Sequence, residues 1–172
     1  ALADPRAAER LRSLLYDPAL NVRDAAFTAL ARLLEAEPLN AAEAGLNAPS
    51  ENVRQRGLQL LVAEARKTPI KSLDDRPAVM LADVLNDSFR AVRSEALKAA
   101  LNLKVGGGGA STLRFVMRSQ HPDVRREAMT EAMAGVGDPG GWDVLFEFLN
   151  DPDPSLRTEA YHFAARKTKG LE

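Results

Sequence analysis

The sequence predicts an all-α protein of five tandem helix-turn-helix units. Three observations carry this: composition, a recurring dipeptide, and the apolar spacing around it. The chain has 29 Ala and 24 Leu against 11 Val and one Ile. Ala and Leu lose little on entering a helix, whereas β-branched residues lose χ1 freedom there, so the balance favours helix over sheet. The dipeptide is Val22-Arg23, Val53-Arg54, Val92-Arg93, Val124-Arg125 and Leu156-Arg157, with arginines 31, 39, 32 and 32 residues apart. With each arginine as position zero, position +3 is small (Ala26, Gly57, Ala96, Ala128, Ala160) and position +4 is large (Phe27, Leu58, Leu97, Met129, Tyr161). Positions −1, +3, +4 and +7 share one face of a 3.6-residue helix, so each arginine opens an amphipathic helix whose small residue admits a close neighbour.

A second stripe precedes the first in every unit, at −12, −9 and −8, and defines the first helix of each pair. In unit one, approximately residues 4–36, it reads Leu11, Leu14 and Leu15, with a turn at Asp17-Pro18. Unit two, 39–67, has Ala42, Gly45 and Leu46, then Ala48-Pro49-Ser50, where Ser50 is a candidate N-cap. A short first helix holding a glycine and only alanine at −12 marks this unit as the expected weak point. Unit three, 77–104, follows a polar connector at 68–77, where the 39-residue spacing places about seven extra residues in a surface loop. Its stripe is Leu81, Val84 and Leu85, its turn Asp87-Ser88.

Unit four, 110–135, is preceded by four glycines at 106–109 across which the spacing remains 32, so they form a helix terminus and turn, not an added linker. No Gly-Lys-Ser/Thr follows them, which excludes a phosphate-binding loop. The turn His121-Pro122-Asp123 places proline where a missing N–H costs nothing, and His121 serves helix initiation. Unit five, 139–168, carries Trp142 as a packing residue, and its turn Asp151-Pro152-Asp153-Pro154 offers Asp153 as a cap for a helix starting at Pro154.

These five in-register units, each close to Leu-x-x-Leu-Leu-x-Asp-Pro-x-x-x-Val-Arg-x-x-Ala, resemble the short bacterial form of the HEAT-repeat family over about residues 5 to 168. The resemblance implies one armadillo-like domain over 1–172, a right-handed α-solenoid of five HEAT-like repeats. It further implies a ladder in which a turn aspartate and the arginine opening the second helix link adjacent repeats. Asp17, Asp87 and Asp151 match the aspartate, and Arg23, Arg54, Arg93, Arg125 and Arg157 match the arginine. Ala48 and Ser119 stand at the aspartate's place in units two and four and thin the ladder. A guanidinium at a helix start can donate to turn carbonyls and a carboxylate, which favours a structural role over phosphate tracking.

Functional expectations are narrower. With 23 Lys plus Arg against 24 Asp plus Glu, the net charge is −1, and nothing in the balance attracts nucleic acid or anionic lipid. The absence of cysteine excludes disulfides, thiolate metal sites and thiol nucleophiles. No apolar run reaches the length of a membrane span and no secretory leader opens the chain, so a cytoplasmic location is expected. The start at Ala1 and the ending Leu171-Glu172, read as a cloning scar, fit a piece of a larger protein.

In a stack of helix pairs the second helices line the concave side, and their outward columns give the partner-binding candidates Arg56, Gln59, Glu95, Lys98, Arg126, Glu127, Thr130, Glu159 and His162. No catalytic or metal residue and no cofactor is expected. His162 and Glu159 are three apart, but nothing completes a four-ligand set, and no Gly-x-Ser-x-Gly elbow is present. The expected function is a non-catalytic scaffold binding another protein or other domains of a parent chain. The alternatives that the resemblance leaves open are a nucleic-acid-binding module such as the DNA glycosylases of this fold, or a lyase subunit holding a tetrapyrrole.

Overall fold

The computed structural model describes residues 5–137 and 140–168. The expected starts of units one and five, Asp4 and Pro139, and the Leu171-Glu172 ending lie outside these residues. The described residues are all-helical, without a strand. Ten α-helices follow one another: α1 (Pro5–Leu14), α2 (Leu20–Leu33), α3 (Pro38–Leu46), α4 (Glu51–Lys67), α5 (Arg76–Val84), α6 (Arg90–Asn102), α7 (Gly109–Met117), α8 (Pro122–Ala134), α9 (Gly141–Glu147) and α10 (Pro154–Thr168). Short 3₁₀ turns cover Val105–Gly107 and Phe148–Asn150. No helix among the described residues is long and apolar enough to cross a membrane.

Each odd-numbered helix packs on the even-numbered helix that follows it, with the Phe148–Asn150 turn making that contact for α10. Helices α2, α4, α6, α8 and α10 also lie side by side in chain order. Helix starts follow sequence chemistry. Each dipeptide arginine is the fourth residue of its helix, and its amide closes the first turn onto the carbonyl of Ala19, Ser50, Phe89, His121 or Asp153. Pro122 and Pro154 occupy the first helical position as expected. Asp153 caps α10 by accepting from the amide and the hydroxyl of Ser155, at 2.8 and 2.7 Å. Ser50 does not cap α4: its hydroxyl is turned inward, buried and unpartnered among the described residues.

At nine residues, α3, the first helix of unit two, is not shorter than α5 and α7, the first helices of units three and four. Gly45 and Gly57 face each other, and a Cβ built on Gly57 would lie 2.7 Å from the Leu46 amide nitrogen and 2.9 Å from the Ala42 carbonyl oxygen. The glycine is therefore what lets α3 and α4 touch backbone to backbone, and Ala41, Ala42 and Ala48 are fully buried around that contact. Phe27 of α2 presses its ring onto the same notch, 2.5 Å from where a Gly45 Cβ would sit.

The connectors behave as their composition dictates. Residues 68–75 link α4 to α5, and Asp75 ties this loop by accepting from the amides of Lys71 and Ser72, both at 2.9 Å. Residues 106–109 all adopt positive φ, the region glycine enters without strain, and lead directly into α7. The buried Thr112 hydroxyl holds this crossing by donating to the Val105 carbonyl at 2.7 Å.

Candidate functional site

Two rows of side chains connect neighbouring units. The first is the arginine row. Every dipeptide arginine donates to the carbonyl six residues before it: Asp17 at 2.7, Ala48 at 2.6, Asp87 at 2.8, Ser119 at 2.9 and Asp151 at 2.7 Å. Those carbonyls lie in the turn before the helix and have no backbone donor in the helix itself, so the arginine closes each turn onto its own second helix.

Three of the arginines also bind a carboxylate of the following unit. Arg54 meets Asp87 at 2.8 Å, Arg93 meets Asp123 at 2.6 Å, and Arg125 grips both oxygens of Asp151 at 2.8 and 3.0 Å. Asp123 was not among the expected ladder residues. It sits two residues before Arg125, and supplies the charge that Ser119 lacks. Ser119 instead donates to the Leu85 carbonyl of unit three at 2.8 Å. Between units one and two no such replacement exists. Asn52, at the place of Asp123, turns its amide to Asp24 at 2.8 Å, and Arg23 has no carboxylate partner among the described residues. Its Nε is buried without an acceptor.

The second row lies along the even-numbered helices, among the residues expected to bind a partner, and four of those residues also join neighbouring units. Arg56 is an internal clamp: it donates to the Asp24 carbonyl at 2.9 Å and the Thr28 hydroxyl at 2.8 Å, with its guanidinium 4.9 Å from the Phe27 ring centroid. Glu95 accepts from Gln55 at 3.4 Å. Arg126 pairs with Glu159 and donates to the Ser155 hydroxyl at 2.7 Å. These four candidates link adjacent units, because +1 and +2 side chains of neighbouring second helices reach each other. The signal was present as opposite charge in adjacent columns, but which pairs meet depends on helix spacing. Gln59, Lys98, Thr130 and His162 are exposed and Glu127 half-buried; of these side chains only that of Thr130 is hydrogen-bonded among the described residues, to its own helix's Arg126 carbonyl at 3.0 Å. A shallow depression of about 620 Å³ on α8 and α10 is lined by Arg126, Ser155, Thr158, Glu159, His162 and Arg166.

A cleft of about 670 Å³ opens where the 68–75 loop passes the starts of α3 and α5, walled by Pro38, Leu39, Pro69, Ile70 and Pro77, with Lys71 at its rim. The sequence indicated only a surface loop here. His121 directs its Nε2 to the Asn86 carbonyl at 3.3 Å, and Trp142 packs on Phe146 and the core. No cluster suited to holding a metal ion occurs among the described residues.

The perturbed carboxyls among the described residues all stand at helix starts. Asp75 is held below the usual range by the Ser72 and Lys71 amides, and Asp153 by the Ser155 hydroxyl and amide. Burial pushes Asp123 up, but the Arg93 guanidinium, through its hydrogen bond and its charge, and the Val124 amide together outweigh it and hold the carboxyl low. A lowered folded pKa stabilises the fold fully above the unfolded value of about 3.9, and that contribution fades as pH falls through the folded value. Asp123→Asn should therefore lower the urea midpoint at pH 7, and its difference from wild type should shrink steadily between pH 5 and pH 3, within about those limits. A difference independent of pH would contradict the assignment.

No protein-family model matches the chain. No curated protein matches it either. The functional reading therefore rests on the geometry above.

Proposed function

We propose that the chain is a right-handed, five-unit HEAT-like α-solenoid, and that it works as a non-catalytic scaffold holding a partner protein, or a further domain of a longer chain, against the face of its second helices. The observation that carries this reading is the division of labour along that face. One set of side chains, Arg56, Glu95, Arg126 and Glu159, is spent between units, while Gln59, Lys98, Glu127 and His162 carry no side-chain hydrogen bond or ion pair among the described residues. Rigidly mounted, unspent polar groups of both signs recognise a complementary protein surface without immobilising the scaffold anew on binding.

Side-by-side even helices and the arginine row support the stack, since each unit then buries its stripe only against neighbours. The second face of each pair, formed by the odd helices, carries its own pair, Arg114 with Glu147 at 2.7 Å, which provides a control. In affinity capture followed by cross-linking mass spectrometry, reversing charge with Lys98→Glu and Glu127→Lys should weaken the captured partner about tenfold or more. Exchanging the pair as Arg114→Glu with Glu147→Arg should leave capture unchanged. Equal capture by both variants, or binding to duplex DNA that falls steeply with salt, would reject this face.

A further inference from the structure

We propose that the joint between units one and two binds a small carboxylate anion, of the size of formate, which takes the part that an aspartate side chain plays at a later joint. The proposal uses the register of the units and is independent of the face that takes a partner.

At position −4, the residue just before each second helix, the backbone amide is held by the side chain two residues earlier. Ala19 donates to Asp17, Phe89 to Asp87 and Asp153 to Asp151, each at 2.8 Å, and His121 donates to the Ser119 hydroxyl at 3.2 Å. In unit two the corresponding residues are Ser50 and Ala48, and a methyl group accepts nothing. The Ser50 amide has no acceptor among the described residues.

The joint between units four and five shows how close this amide stands to the arginine of the unit before it. One oxygen of Asp151 accepts both the Asp153 amide at 2.8 Å and Nη2 of Arg125 at 3.0 Å, while the other accepts Arg125 Nε at 2.8 Å. Arg23 is seated like Arg125. Its Nη1 donates to the turn carbonyls of Asp17 and Pro18 at 2.7 and 2.9 Å, as that of Arg125 does to Ser119, and the same Nε–Nη2 edge is directed to the next unit. Among the described residues two side-chain nitrogen or oxygen atoms are buried without a hydrogen-bond partner, and both belong to this joint: Nε of Arg23 and Oγ of Ser50. A guanidinium N–H, an amide N–H and a hydroxyl therefore border the place that the aspartate carboxylate holds in unit five, and Ala48, ending at Cβ, brings no oxygen to them.

Chemistry selects the ligand. The guanidinium and the amide can only donate, which excludes a cation, and Arg23 has no carboxylate partner among the described residues, so a charged acceptor gains more than water does. The start of the 17-residue α4 adds to the attraction for negative charge. Two oxygens at carboxylate spacing match the Nε–Nη2 edge and leave one to accept the Ser50 amide as well, as Asp151 does for Asp153. Ala48 is fully buried, which limits the ligand to a few atoms.

The test is a formate titration of the whole chain, followed in nitrogen–proton correlation spectra, with a bulky sulfonate exchanged for formate at constant ionic strength. The Arg23 Nε–H and Ser50 amide signals should shift and saturate with a dissociation constant on the order of 10 mM, within reach of a three-atom ligand. The Arg125 Nε–H, already on Asp151, should stay in place. At about ten times that constant, hydrogen exchange in the first turn of α4 should slow about tenfold. Chloride, a single centre for two donors, should bind at least about threefold more weakly than formate. Ser50→Ala removes a hydroxyl that caps nothing and should weaken formate about tenfold with the fold retained. Ala48→Asp supplies the carboxylate from the chain itself, so both signals should stand near their formate-saturated positions and no longer respond to formate. Shifts that fail to saturate, that Arg125 shares or that survive Ser50→Ala unchanged overturn the proposal, and so does chloride binding as tightly as formate. Donor signals that stay constant at every formate concentration overturn it too, and assign the acceptor to water.

Discussion

Gly57→Ala is expected to destabilise the protein by about 2 kcal/mol or more, although a glycine-to-alanine change inside a helix ordinarily stabilises by about 1 kcal/mol. The sign reverses because of what the new methyl meets. Around a Cβ at Gly57 stand the Leu46 nitrogen at 2.7 Å, the Ala42 oxygen at 2.9 Å and the Gly45 carbonyl carbon at 2.9 Å, all backbone atoms that no rotamer change can move. α3 and α4 must separate, and the displacement carries Gly45 away from the Phe27 ring and loosens the Arg56 clamp over that ring. Gly45→Ala should cost a similar amount by striking Phe27 and the Gly57 Cα, at 2.5 and 2.9 Å. Gly137→Ala is the control: nothing among the described residues lies within 4 Å of its Cβ position, and the change should stay within about 0.5 kcal/mol of wild type. Urea denaturation of the three variants decides the matter, and a Gly57→Ala chain as stable as Gly137→Ala would show that the helices do not touch there.

That contact also marks how far the sequence could be read. Position +3 was legible as a close-approach site because five small residues recur in register, and Ala26, Ala96, Ala128 and Ala160 are all buried. Gly45 had no such column, since Leu14, Val84, Val116 and Phe148 occupy its place in the other units. It read as a helix weakener, because its role comes from Phe27 in another helix. The arginine row was legible from spacing alone, and its carbonyl partners follow from the arginine's fixed place as fourth residue of the helix. Its carboxylates were legible only where they stand six residues ahead. Asp123 reaches Arg93 from a different turn position, and such a substitution is a matter of side-chain reach that sequence register does not encode. The second-helix face was legible as a surface, but not its division into linked and unspent residues. Arg56 stands in the same column as Glu95, Glu127 and Glu159, yet its neighbours Thr28 and Phe27 make it a clamp.

Arg125→Met should produce the largest loss of stability among the ladder variants, about 3 to 5 kcal/mol. Arg125 and Asp151 are 6% and 5% exposed, so water cannot replace either partner. Removing the guanidinium leaves the Asp151 carboxylate with only the Asp153 amide at 2.8 Å, and strips the Ser119 carbonyl of the donor that reached it at 2.9 Å. Arg157→Met, made at a half-buried residue that binds two carbonyls and no carboxylate among the described residues, should cost only about 1 kcal/mol. Replacing both partners, as Arg125→Met with Asp151→Ala, should cost less than Arg125→Met alone, because no charge is then left buried without its counterpart. The damage should also be local. α9 and α10 reach the rest of the protein through α7 and α8, so amide exchange should accelerate in α9 and α10 while α1 to α4 keep their protection. Uniform acceleration along the chain would mean that the units unfold as one block, and a double variant less stable than Arg125→Met would mean that the pair is held by packing of its methylene stems and not by charge.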